Sequence, residues 1–151
     1  MKREEDIEIG KKAEWEVAYI LLKRGRVINI HMPPGNFPYY DIQVTTEKNE
    51  QTYEVKVDRL WIKSTEVGIE YEKKWKPTGI AITKADYMVY KLGNSYWCAN
   101  RARLVSLLMK SQTKRDCVGW DDGTTRLWVI PEKDFYSVAY KLWDSYLELQ
   151  S

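Results

Sequence analysis

Asp41, Glu54 and Lys56 are of the types, and at the spacing, that phosphodiester hydrolysis requires. That reaction needs a water made nucleophilic, a crowded anionic transition state neutralised and a leaving oxygen stabilised, and one or two hard divalent cations supply most of this. Magnesium favours carboxylate oxygens and keeps several of its waters, so two or three acidic side chains converging on one point suffice. Asp41 and Glu54, with twelve residues between them, can meet across a hairpin. Lys56 follows Glu54 by two residues and so leans from the same strand face, where it can orient water or neutralise charge on a phosphate. Taken alone the Glu-x-Lys tripeptide is weak, because alternating charges on the solvent face of a strand are commonplace. The strongly apolar neighbours of all three residues, and a fourth candidate on a helix, give it weight.

That fourth candidate is Glu14. The chain opens with a helix expected from about Glu4 to Arg24 and stopped by Gly25, a usual terminator. At about 100° per residue, Ile20, Ala13, Val17, Leu21, Ala18, Leu22 and Trp15 form its apolar arc. Glu14 falls inside that arc beside Leu21, whereas Glu16 falls among Lys12, Tyr19 and Lys23, where a solvated ion pair accounts for it. A carboxylate on a buried face needs a partner, since an unpaired buried charge is costly. A metal ion or a lysine at the sheet would serve.

The elements that must position these groups follow in order. Arg26 to Ile30 reads as a strand, broken by the loop Met32-Pro33-Pro34-Gly35-Asn36. Tyr39 to Thr46 and Gln51 to Val57 alternate around the turn-like Glu47 to Glu50, which predicts an antiparallel hairpin with Asp41, Glu54 and Lys56 off the apolar face. Val67 to Glu72 and Gly79 to Thr83 look extended, and Thr83 with Asp86 resembles a capping box. Tyr87 to Leu92 and Ser95 to Ala99 form a second hairpin around Gly93-Asn94. Asn100 is expected to cap a helix to about Lys110 with Leu104, Leu107 and Leu108 inward. After a strand from Arg126 to Ile130, the spacing of Phe135, Val138, Ala139, Leu142, Trp143, Tyr146 and Leu149 predicts an amphipathic closing helix. This order implies an α/β (α+β) fold, a mixed central β-sheet flanked by helices, in a single domain over residues 1–151.

Composition narrows the chemistry. One histidine, His31, cannot build an HNH centre or a two-histidine zinc site, and no glycine-rich phosphate loop is present. Cys98 and Cys117 are far apart and read as buried thiols. No apolar run is long enough for a spanning helix, and the charged start lacks a signal's apolar segment, so no membrane partner and a cytoplasmic location are expected. The net charge of +2 announces no nucleic-acid binder, but the distribution does more. Lys91, Arg101, Arg103, Lys110, Lys114 and Arg115 fall in a stretch without acids between Asp86 and Asp116, and Lys56, Arg59, Lys63, Lys73, Lys74 and Lys76 alternate with Trp61, Tyr71 and Trp75. Such spacing suits phosphate contacts with aromatic surface nearby, and equally suits a solvated face over a core. Lys73, Lys74, Lys76, Arg101 and Arg103 are the nucleic-acid-binding candidates. Glu70 and Glu72 could add an acidic ligand, but read better as an exposed alternating strand.

The segment Gly10-Lys-Lys-Ala-Glu14 through Gly25 resembles the first helix of archaeal Holliday junction resolvases and related PD-(D/E)XK nucleases, where Gly-x-x-x-Glu opens the helix and Gly closes it. Tyr40-Asp41 and Glu54-Val55-Lys56 look like that superfamily's second and third motifs, with Tyr40 in place of the usual proline. Gly68 to Glu72, Lys76 to Ile80 and Ala85 to Tyr90 are similar to small phage-encoded nucleases of the same superfamily. The resemblance, which covers about Gly10 to Tyr90, implies a restriction-endonuclease-like core and a DNA endonuclease or exonuclease dependent on Mg²⁺, with Mn²⁺ able to substitute. It further implies Glu14, Asp41, Glu54 and the Val55 carbonyl as metal ligands, and Lys56 as the water-positioning or charge-stabilising group. The location would be the host cytoplasm for a phage-encoded chain. An RNA nuclease shares this chemistry, and a non-catalytic nucleic-acid-binding module that keeps the fold is the rival reading. Branched, single-stranded and duplex substrates stay open, as does a homodimer, which symmetric double cutting would require.

Overall fold

The computed structural model describes residues 2–35, 37–58, 61–119 and 123–143. The opening helix, α1 (Lys2–Arg24), ends where the Gly25 amide donates to the Leu21 carbonyl. A six-stranded sheet follows the order β1-β2-β3-β6-β7-β10, built from β1 (Val27–His31), β2 (Ile42–Thr46), β3 (Glu50–Asp58), β6 (Tyr87–Leu92), β7 (Ser95–Asn100) and β10 (Ala139–Trp143). All neighbours are antiparallel except β3 and β6, so the sheet is mixed. A parallel pair needs a crossover. Here it runs through the short helix α2 (Trp61–Ser64) and strands β4 (Glu66–Lys73) and β5 (Lys76–Pro77). Those strands join β8 (Arg115–Val118) and β9 (Thr125–Pro131) in a second, antiparallel sheet ordered β5-β4-β9-β8.

Two cores lie on the two faces of the central sheet. On one, Ala13, Val17, Ile20 and Leu21 of α1 pack against Ile42, Val44, Tyr53, Val55, Val89, Tyr96 and Cys98. On the other, Met88, Tyr90, Leu92 and Ala99 meet Val67, Ile69 and Ile130 of the second sheet, with Leu104 and Leu108 of α3 (Arg101–Lys110) and Phe135 of α4 (Glu132–Tyr136). The chain is therefore a mixed α+β protein whose central sheet is flanked by helices. The Asn100 side chain accepts the Arg103 amide, the expected cap of α3, worth about 1 kcal/mol.

Several expectations are corrected. The closing helix is replaced by the short α4 and then β10, which adds an edge strand beside β7 from Ala139↔Ala99 to Trp143↔Tyr96. The rest of that expected helix, including Tyr146 and Leu149, lies outside the described residues. Gly79 to Thr83 contains a 3₁₀ turn at Gly79–Ala81 instead of a strand. A Cβ at Gly79 would come within 2.3 Å of the Glu70 carbonyl oxygen, so this close approach admits only glycine. Thr83 and Asp86 form no capping box: the Asp86 carboxylate accepts the Thr52 amide and hydroxyl, and β6 follows directly. α2, β5 and β8 have no counterpart among the elements expected from the sequence. Among the described residues no helix is long and apolar enough to cross a membrane.

Candidate metal and catalytic site

The site lies at a fork between β2 and β3. Their ladder runs from Thr45↔Glu50 to Ile42↔Tyr53, and the last backbone bond across it is from the Asp41 amide to the Tyr53 carbonyl. Beyond it β2 has ended, and β3 continues for five residues with no described strand paired on that side. The Asp41 carboxylate fills the first gap: its Oδ2 accepts the Val55 amide at 2.7 Å. In a strand the N–H and C=O of one residue project to the same side. The Val55 carbonyl therefore faces the open edge beside Asp41.

The fork is reached from both faces of the sheet. Glu54 and Lys56 are in register with Met88 and Tyr90 and so lie on the face toward the second sheet, away from α1. Glu14 arrives from α1, where it is half-buried. The charge of Asp41 acts on both glutamates. Burial, and then the charge of Asp41, push Glu14 from the ordinary 4.5 up to about 7, against the pull of Lys11 and Lys56. Glu54, only 8% exposed, is likewise pushed up to about 7 by burial and by Asp41, although Lys56 opposes this. Each glutamate thus feels the charge of Asp41, which the lysines offset only in part.

Lys56 stands 3.4 Å from Glu54, with its side chain about one-third exposed (34%). Burial alone would lower its pKa, but Glu54, Glu70 and Asp41 together hold it above the ordinary value. Glu70 is thus an additional member that the strand alternation concealed, because the crossover brings β4 over β3 only in three dimensions. The parallel pairing of β3 with β6 sets Tyr90 beside Lys56, its hydroxyl kept protonated by burial and by Asp58, Glu54 and Glu70.

Glu14, Asp41, Glu54, Val55 and Lys56 are therefore brought together. The basic candidates are spread over two elements elsewhere: Lys73, Lys74 and Lys76 are exposed on the β4–β5 hairpin, and Arg103 is exposed on the first turn of α3. Arg101 is committed internally, its Nε donating to the Ala85 carbonyl at 2.6 Å. The hairpin tip carries Trp75, 82% exposed, in a turn where both Lys74 and Trp75 have positive φ.

Glu16 is a correction. It is 6% exposed and accepts a 2.6 Å hydrogen bond from the Tyr96 hydroxyl, while Trp15 and Leu22 face solvent. The buried arc of α1 is rotated away from the one its apolar residues suggest, because Tyr96 of β7 offers a polar partner at the arc's far side.

The carboxylate crowding has a measurable consequence. In chelator, the folded protein retains protons on Glu14 and Glu54 up to about pH 7, whereas the unfolded chain releases them near 4.5. A group with a raised acid pKa contributes stability at low pH that is lost as pH rises through this window. The thermal midpoint of the metal-free protein should fall between about pH 4.5 and pH 7, and Asp41→Asn should flatten that fall. Calorimetry over the pH series checks this; identical slopes in the two proteins would mean that Asp41 does not load the pair.

Among the described residues, no group of three or more His, Cys, Asp or Glu side chains is already arranged to hold a metal ion. The donors themselves are hard oxygens, and the crowded carboxylates with an open carbonyl beside them are what a divalent cation would relieve. Compared with known proteins, the chain matches no family model, no curated protein and no solved structure.

Proposed function

We propose that the chain is a divalent-metal-dependent nuclease with a restriction-endonuclease-like core that hydrolyses DNA phosphodiester bonds. The observation that carries this reading is the fork: Asp41 caps the Val55 amide of β3 and its charge acts on both Glu14 and Glu54, with Lys56 3.4 Å from Glu54. Glu14, Asp41, Glu54 and the Val55 carbonyl would hold Mg²⁺ or Mn²⁺, which when bound supplies Lewis acidity and a more acidic water. Lys56 keeps its charge at working pH and is tethered by Glu54, so its ammonium can orient water or meet charge developing on the phosphate. The bond from the Val55 amide to Asp41 fixes the rotamer of that carboxylate at the edge of β3. The exposed Lys73, Lys74, Lys76 and Arg103 provide phosphate contacts away from the reacting bond.

The test is incubation with labelled linear, single-stranded, flap and four-way DNA in Mg²⁺, Mn²⁺, Ca²⁺ or excess chelator. Cleavage is expected with Mg²⁺ and Mn²⁺, binding with little cleavage in Ca²⁺, and none in chelator. Robust cutting by metal-free protein would overturn the metal requirement, and tight binding without cutting under every condition would make the chain a binding module.

A further inference from the structure

Beside the carboxylates, the loop between β1 and β2 and the exposed side of α1 enclose an open cleft of about 180 Å³. Glu14 and Asp41 belong to its lining together with Lys11, Trp15, Phe37 and Tyr40. Two of its aromatic residues are exposed, Trp15 at 68% and Phe37 at 40%. Scattered exposed apolar side chains are normal, but contiguous ones beside a polar site mark a binding surface.

Phe37 packs against its loop neighbours without being covered by them. Phe37 meets Tyr39 and Tyr40 edge-on, at centroid distances of 5.5 and 4.9 Å, rather than face to face. The Tyr39 carbonyl accepts both the Thr83 hydroxyl, at 3.0 Å, and the Lys84 amide, at 2.9 Å, and Lys84 Nζ lies 4.4 Å from the Tyr39 ring centre. Pro38 fixes φ between the two aromatic residues. Phe37 is thus braced by Tyr39 and Tyr40, and a ring held by its neighbours loses less entropy when a ligand stacks on it.

We propose that this cleft is a stacking subsite for an unpaired nucleobase adjoining the phosphate at the carboxylate cluster, so that the strand entering the site is single-stranded there. The assignment rests on the nuclease reading. Aromatic side chains stack on any base with an open face, at about 1–3 kcal/mol per base. A base within a duplex has both faces covered and must first be unstacked. Lys11, and Lys84 behind Tyr39, supply the positive charge for the flanking backbone.

The experiment measures binding in chelator, at fixed salt, of equal-length fluorescent oligothymidylate, a blunt duplex and an abasic oligomer that keeps the phosphates but lacks bases. The parent should bind oligothymidylate at least tenfold more tightly than either of the others. Phe37→Ala and Trp15→Ala should each weaken oligothymidylate binding about five- to tenfold and leave the abasic oligomer unaffected. Phe37→Tyr should restore affinity and Phe37→Leu should not, a distinction that a merely structural role would not make. Equal losses on both oligomers, or equal affinity for duplex, would overturn the subsite. If these variants behave like the parent while Mg²⁺ still supports cutting, the subsite fails and the nuclease reading stands. If base-dependent binding is found but no metal supports cutting, the nuclease reading fails instead.

Discussion

Asp41→Asn should lower single-turnover DNA cleavage by on the order of 10³-fold, the upper end for removal of one charge-stabilising group, while leaving the fold intact. The reason is that Asp41 does two separable things. Its Oδ2 accepts the Val55 amide at 2.7 Å, a role an asparagine oxygen can take over. Its charge is the common neighbour of Glu14 and Glu54, and that asparagine removes. The thermal midpoint in chelator near pH 8 should accordingly stay level or rise as repulsion falls. Asp41→Ala, by contrast, leaves the Val55 amide without its acceptor and should also cost about 1–3 kcal/mol of stability. Cleavage within tenfold of the parent for Asp41→Asn, in a saturating Mg²⁺ titration, would remove Asp41 from the reaction.

Whether such a site can be read from sequence depends on how local its determinants are. The β2–β3 hairpin announces itself by alternation over Tyr39 to Val57, and with it the shared face of Glu54 and Lys56. The cap at Asn100 and the stop at Gly25 are equally local. The fork is not, because it exists only through the early end of β2 and the parallel pairing of β3 with β6, thirty-odd residues later. Glu70 joins the site by the same crossover, so its alternation with Val67 and Ile69 describes its own strand correctly and says nothing of Lys56. At the C-terminal end the helical spacing of Phe135, Val138, Ala139 and Leu142 is real. It is overridden when Ala139 to Trp143 finds the edge of β7, and Leu142 then fills the α1 side of the sheet. Propensity is a weak prior against a vacant sheet edge. The aromatic loop could have been noticed from Phe37-Pro38-Tyr39-Tyr40 following two prolines, but its nearness to Glu14 could not.

The helix separates two carboxylates that composition treats alike, and their substitutions should fail in opposite ways. Glu14→Gln should lose cleavage by roughly 10²–10³-fold and keep or gain thermal stability in chelator above pH 7, because a group held at about pH 7 by burial and Asp41 is then no longer charged. Glu16→Gln should keep cleavage within a few-fold and lose about 1–3 kcal/mol of stability, the usual weight of a buried hydrogen bond to a charged group. Its carboxylate takes the Tyr96 hydroxyl at 2.6 Å inside the core, and an amide there weakens that acceptor and brings N–H donors into a buried site. Tyr96→Phe makes the assignment specific: if that bond is the cause, Glu16→Gln should cost clearly less in the Tyr96→Phe background than in the parent, a coupling that a double-mutant cycle measures directly. Additive losses would place the cost of Glu16→Gln elsewhere, and a Glu16→Gln protein that is stable but inactive would move the reacting carboxylate from Glu14 to Glu16. A Glu14→Gln protein as active as the parent would leave the site with Asp41 and Glu54 alone, and the helix would then contribute packing but no ligand.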